Sequence, residues 1–217
     1  MYSSEGRPGI PFTLSITVLN TNTCTPISKA LVDIWHCDSV GIYSHFVGAS
    51  LGQMNAKTDN TTFFRGQQLT QTNGVAVFKT VYPGWYRGRA THIHIKVHIG
   101  ANLTTIGSAI HAKGGHVSHT GQLYFDDVLT DRVATISPYS THTITRVRNN
   151  EDGIFEDADA TNMIIPIKFV GSDFTKGVTG QITVGVDPTA TPKAVEFGGG
   201  PPPPNGGRPP RPIPRNL

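Results

Sequence analysis

HIHIKVHI, residues 92–99, alternates without a break. Successive side chains of a β-strand leave opposite faces. Ile93, Ile95, Val97 and Ile99 therefore make one apolar face for a core, and His92, His94, Lys96 and His98 share the other. The same period of two recurs on both sides of this stretch. Residues 11–19 (PFTLSITVL) set Phe12, Leu14, Ile16 and Val18 against Thr13, Ser15 and Thr17. ALVDIWHC, VAVF after the turn Thr72-Asn73-Gly74, and short runs at 122–125, 164–169 and 181–186 also suit strands. A single helix is expected over 126–134, and there is no internal repeat. Many short strands between turn signals predict an all-β fold, an antiparallel β-sandwich with long loops.

The rest of the composition agrees. Charged residues are only 15% of the 217, and Gly (24) and Pro (16) are abundant. No apolar run approaches the ~18 residues of a membrane-spanning helix. Residues 1–196 carry 15 basic and 15 acidic side chains, so the +3 of the whole chain comes from Arg208, Arg211 and Arg215. A neutral body without aromatics interleaved among Lys and Arg excludes a nucleic-acid face. Of the residues from 197 to 217, 13 of 21 are Gly or Pro. Such a segment buries too little apolar surface to offset its ordering entropy. The expectation is one domain, 1–196, and a Pro/Gly-rich disordered tail, 197–217.

His92 and His94 stand ~7 Å apart along one strand face, a spacing from which two imidazoles converge on one metal ion. A solvent-facing polar stripe is the alternative for a His-x-His considered alone. Two tyrosines weigh against it. Tyr86 follows the turn Tyr82-Pro83-Gly84-Trp85, and Tyr43 follows Gly41 after the WHC strand. Two phenols and two imidazoles suit Fe(III), because phenolate is a hard anion, whereas zinc sites favour Cys, His and carboxylate. A zinc or copper enzyme using His92 and His94 is one rival reading. A non-catalytic secreted β-sandwich binding module is another.

Three blocks resemble the intradiol ring-cleavage dioxygenases: VDIWHCDSVGIYS (32–44), PGWYRGRATHIH (83–94) and GQLYF (121–125). With the NGVAVF strand they span roughly residues 5–170 in fixed order. The small secreted, mostly fungal members are the most similar. The resemblance implies that Tyr43, Tyr86, His92 and His94 hold Fe(III), with Tyr86 leaving the metal when substrate binds. It implies that Arg89 stabilises negative charge on the ring and that Gln122 lines the oxygen side. The implied reaction cleaves a catechol with O2 between its two hydroxyl-bearing carbons, giving a cis,cis-muconic acid. Tyr82 is the rival second phenol and is expected to pack in the core. The linker 87–91 is shorter than in the protocatechuate and catechol types, which predicts low walls and broad use of catechols.

No secretory leader is evident in MYSSEGRPGIPF. Two cysteines, Cys24 and Cys37, and the sequons at Asn60 and Asn102 predict an extracellular glycoprotein with a Cys24–Cys37 disulfide. A monomer is expected, with small catechols and O2 as partners and neither nucleic acid nor membrane. His36 is expected to be packed and hydrogen-bonded, His45 to line the pocket mouth, and His111, His116 and His119 to lie in a solvated Gly-rich loop. The acidic stretch 151–159 is read as capping and turn chemistry.

Overall fold

The computed structural model describes residues 4–106 and 109–193; the Pro/Gly-rich tail expected at 197–217 lies outside them. In chain order the strands are β1 (Pro11–Asn20), β2 (Leu31–Trp35), β3 (Arg65–Leu69), β4 (Val75–Val81), β5 (His92–Ile99), β6 (Asn102–Ile106), β7 (Ala109–Lys113), β8 (His116–Tyr124), β9 (Ile167–Phe169) and β10 (Val178–Val186). Three short helices join them: α1 (Val47–Ser50), α2 (Asp127–Ala134) and α3 (Gly153–Asp157). One four-stranded sheet runs β4-β1-β10-β9 and the other β3-β2-β5-β8; β6 and β7 form a separate hairpin.

The alternation seen in the sequence becomes the core. Phe12, Leu14, Ile16 and Val18 of β1 and Ile93, Ile95 and Val97 of β5 are at most 1% exposed, and all belong to one apolar cluster between the sheets. Burying each such side chain is worth ~1.5–3 kcal/mol, so the inner faces fix the register. The pairing is antiparallel except for β1 with β10, which run parallel from Phe12 opposite Val178 to Asn20 opposite Val186. Tyr82 packs as expected, fully buried, its hydroxyl 2.7 Å from Thr130 Oγ1. The predicted helix is α2, where the Asp126 carboxylate accepts from the Leu129 N–H. That is ordinary N-capping.

Two expectations are corrected. Residues 111–119 are no Gly-rich loop but the β7–β8 hairpin, turning at Gly114-Gly115. His116 bonds the Pro188 carbonyl at 3.0 Å, and His119 is half-buried. The Cys24–Cys37 disulfide is not made: both thiols are free, Cys24 exposed and Cys37 buried. The Cys24 N–H bonds Asn20 at the end of β1. His36, beside Cys37, instead bonds Thr80, which pairs with Phe12 at the start of β1. The cysteines are thus separated by about the length of β1, ~26 Å at 3.3 Å per residue, whereas a disulfide needs Cα atoms within ~7 Å. The polar face of β5 is buried at its start, against the alternative of a solvent-facing stripe: His92 and His94 are only 2% and 7% exposed.

Candidate metal centre

What covers those histidines is a pair of loops that also deliver the tyrosines. The loop after β2 carries Asp38 to Tyr43. Its turn is built on the Asp38 carboxylate, which accepts from the N–H groups of Val40 and Ile42 at 3.0 and 2.9 Å. The turn after β4 carries Pro83 to Tyr86. The two touch backbone to backbone, with the Gly84 N–H donating to the Asp38 carbonyl at 3.0 Å. A Cβ on Gly84 would lie 2.5 Å from the Ser39 carbonyl oxygen, and one on Gly41 (φ +83°) 2.3 Å from that of Trp85. Gly41 and Gly84 are therefore required for close approach. Their effect is to set the rings of Tyr43 and Tyr86 edge to face, 5.5 Å between centroids.

The strand supplies the other half. In β5, His94 lies opposite Trp35 of β2 and Gln122 of β8, while His92 lies opposite Tyr124. The Trp35 indole stacks on the His94 ring at 4.8 Å, 1° from parallel, and fixes its plane. His92 donates from Nδ1 to the Ala90 carbonyl at 2.7 Å. That bond leaves its Nε2 with a lone pair, 3.1 Å from His94 Nε2. The Tyr86 hydroxyl is 3.4 Å from the same His92 nitrogen. The Tyr43 ring is 6.0 Å from that of His94, which closes the circle of four. The structure thus brings together Tyr43, Tyr86, His92 and His94, as their positions in the sequence predict.

Arg89 stands on the rim of this circle. One terminal nitrogen donates to the Tyr86 hydroxyl at 3.2 Å, and the other reaches Gln122 Oε1 and, at 3.5 Å, the Tyr124 hydroxyl. Tyr124 in turn donates to Gln122 Oε1 at 2.7 Å. Arg89 Nε is held by both oxygens of Asp152, at 3.1 and 3.0 Å. Asp152 is fully buried. It also accepts from the N–H groups of Ala90 and, as the cap of α3, Ile154.

Asp152 is the residue that sequence reasoning missed. Its capping is real, but nothing local separates it from Glu151 or Asp157 as the acid that meets the arginine. Tyr124 was readable in principle, since it shares a strand face with Gln122. Of the other histidines, His36 is buried and bonded at both ring nitrogens, to the Cys37 carbonyl and to Thr80 Oγ1, each 2.7 Å. His45 does not line the cleft: its Nδ1 meets the Asp59 carbonyl at 2.6 Å on the exposed side of the loop.

Burial sets the electrostatics. It pulls the imidazole of His92 down to about 3, with help from the Arg89 charge, and that of His94 to about 2, with help from His92 and Arg89. Both are neutral donors of electron pairs. Burial raises the Tyr43 phenol far above its usual range, with Cys37 and Tyr86 adding to the effect. The Tyr43 hydroxyl is buried without a hydrogen-bond partner, which costs ~1–3 kcal/mol. A cation among these four groups would remove that cost and bind the phenolate form. Two imidazole nitrogens 3.1 Å apart also suit adjacent positions on one ion at bond lengths of ~2.1 Å. The residues fit ferric iron.

Beside the circle opens a cleft of about 740 Å³, floored by Tyr43, Tyr86 and His94 and walled by the α1 segment through Phe46 and Leu51. Beside the short linker, the lining on this side of the cleft comes from α1, between β2 and β3.

A dioxygenase family model matches residues 1–165. An intradiol ring-cleavage dioxygenase from Tetranychus urticae is 31% identical over 87% of this chain and 86% of that one, with a TM-score of 0.73. The dioxygenase domain of a dioxygenase carbohydrate-binding protein fusion from Streptomyces sp. SirexAA-E is 25% identical, over 85% and 84% of the two chains, with a TM-score of 0.53. The fold is shared with 3-chlorocatechol 1,2-dioxygenase from Rhodococcus opacus 1CP, at 17% identity and a TM-score of 0.50 over 86% of this chain and 63% of that one. A sandwich whose central strand and two interlocked loops close two phenols and two imidazoles on one point is accounted for by this match: the chain belongs to the intradiol ring-cleavage dioxygenases, enzymes that open catechol-type rings.

Proposed function

We propose that this chain is a non-haem Fe(III) enzyme that cleaves catechols with O2 between the hydroxyl-bearing carbons, both oxygen atoms entering a cis,cis-muconic acid. The closure of Tyr43, Tyr86, His92 and His94 around one point, with the Tyr43 hydroxyl buried and unpartnered, carries this reading. Ferric iron held there supplies Lewis acidity that activates the bound catechol toward O2. Tyr43, His92 and His94, with Tyr86, would hold the ion. Tyr86, at the cleft and within 3.2 Å of Arg89, would be the displaceable one of the four and would accept at its phenolate oxygen a proton from the catechol hydroxyl. Arg89 offers a fixed positive charge to the developing negative charge on the ring, held ready by Asp152, Gln122 and Tyr124.

The visible spectrum of the purified protein tests the metal. Tyrosinate on Fe(III) gives a red-brown protein, while stoichiometric zinc without iron refutes the proposal. Oxygen uptake on catechol and identification of the muconate product test the reaction. The proposal extends to extracellular placement as a monomeric glycoprotein, supported by the exposure of Asn60 and Asn102. A mass shift on enzymatic deglycosylation of the native protein, together with its mass in solution by light scattering, checks it.

A further inference from the structure

The segment that walls the cleft is unusual for a surface. Residues 46–56 (FVGASLGQMNA) contain no charged side chain. Phe46, Leu51 and Met54 on it are 45%, 59% and 90% exposed. The segment is nevertheless firmly attached. Ser50 Oγ accepts from the Tyr43 N–H at 3.0 Å, and the Asp59 carboxylate accepts from the Val47 N–H at 2.9 Å. The apolar surface is thus built onto the backbone of a candidate ligand. It is continuous with the cleft floor, because Phe46 and Leu51 line the same space as Tyr43, Tyr86 and His94. Ile144 and Arg87 complete the lining, Ile144 being held beside the second loop by Trp85 Nε1 donating to its carbonyl at 2.7 Å.

A single ring fixed by two oxygens uses little of a 740 Å³ space, a size typical of sites for far larger ligands, ~300–1,000 Å³. Contiguous exposed apolar side chains beside a polar reaction centre mark a surface that a ligand covers. Arg87 at the rim adds a planar cation that stacks on aromatic faces.

We infer that Phe46, Leu51, Ile144 and Arg87 form a second subsite that takes an uncharged aromatic group carried on the catechol ring, so that two-ring catechols are the preferred substrate class. This rests on the reading of the cleft floor as the reaction site. Carbon–carbon cleavage is unchanged by the added group, which contributes only binding.

The test compares kcat/KM for catechol, 4-methylcatechol and 4-phenylcatechol on the iron-loaded protein, for the parent chain and for Phe46→Ser and Leu51→Ser. These two side chains are exposed, so the variants retain the fold. The parent is expected to favour 4-phenylcatechol over catechol by roughly tenfold or more, with 4-methylcatechol between them. Each variant is expected to lose most of that ratio, chiefly through KM. Equal kcat/KM for the two substrates, or a ratio unaffected by both variants, overturns the subsite while leaving the reaction site standing. Absence of cleavage on catechol itself overturns the reading of the site and the subsite with it.

Discussion

At the scale of single residues, the side chains of the centre are held in different ways, His92 and Arg89 by hydrogen bonds and His94 by stacking on Trp35, and removal separates the roles. Tyr86→Phe keeps the ring between Tyr43 and His92 but has no oxygen to leave the metal or take a proton. The expected result is near-parental iron content by metal analysis with turnover lost by ~100-fold or more. Full activity would assign that place to another residue. Asp152→Asn keeps one of the two acceptor oxygens that serve the N–H groups of Ala90 and Ile154 and removes the charge opposing Arg89. Leaving a buried cation unpaired costs ~3 kcal/mol or more. Because Asp152 acts through Arg89, the expected loss is ~10–100-fold in kcat with KM little changed and iron retained. Four of the six site residues read from the sequence are candidate ligands announced by type and spacing, and Arg89 and Gln122 follow from the blocks that contain them. Asp152 was hidden because it meets Arg89 across 63 residues, by tertiary packing alone.

At the scale of elements, the two loops that present the tyrosines form one unit, and its weakest tolerance is at Gly84. A methyl there meets the Ser39 and Asp38 carbonyl oxygens at 2.5 and 2.7 Å. Backbone has to move, and the Gly84 to Asp38 hydrogen bond goes with it. Gly84→Ala is expected to lose ~1–3 kcal/mol of stability and most of its iron, read by thermal unfolding and metal analysis. Retention of full iron would mean that Tyr86 is positioned independently of the first loop. The strands that alternate cleanly, β1 and β5, were readable from their period of two. β3 (RGQQL) was not, because it has no buried residue and carries a glutamine on each face. Nor were β6 and β7, which pair only with each other, outside both sheets. Here strand formation is decided by neighbours, not by pattern. The α1 wall has no helical period at four residues and owes its shape to Ser50 and Asp59.

At the scale of the whole molecule, the sandwich makes the protein sensitive to acid through His36. This side chain is 1% exposed against the Phe64 ring, between Thr80 and the Cys37 carbonyl. Burial lowers its imidazole to about 4. In the unfolded chain the ring takes a proton below ~6.5, and in the folded one only near 4. Between these values the unfolded state binds more protons, so stability falls as pH drops from about 6.5 to 4 and levels off below that. The share of His36 is roughly 3 kcal/mol at 1.36 per unit. Urea midpoints of the metal-free protein across this range should show the slope, and His36→Gln should make it shallower, the remainder coming from His92 and His94. An unaltered slope would assign the acid sensitivity to other groups. The same sandwich leaves the outer sheet face at His92 and His94 dry, because the loops cover it.

The parallel contact of β1 with β10 bears on how the protein is made. β1 is the second strand of its sheet, flanked by β4 on one side and by β10 on the other. Its partner on that second side is not translated until about 160 residues later. At the ~5–20 residues per second of a ribosome, the nascent chain waits on the order of ten seconds or more with one edge of β1 unpaired. Throughout that interval Phe12, Leu14, Ile16 and Val18 lack half of their cover, and the exposed edge invites pairing with a neighbouring chain. Completion is therefore a single late event dominated by long-range contacts, a topology that folds slowly. Pairing between unfinished chains at this edge is therefore the expected route of loss when synthesis is crowded, read as more soluble protein when expression is slowed.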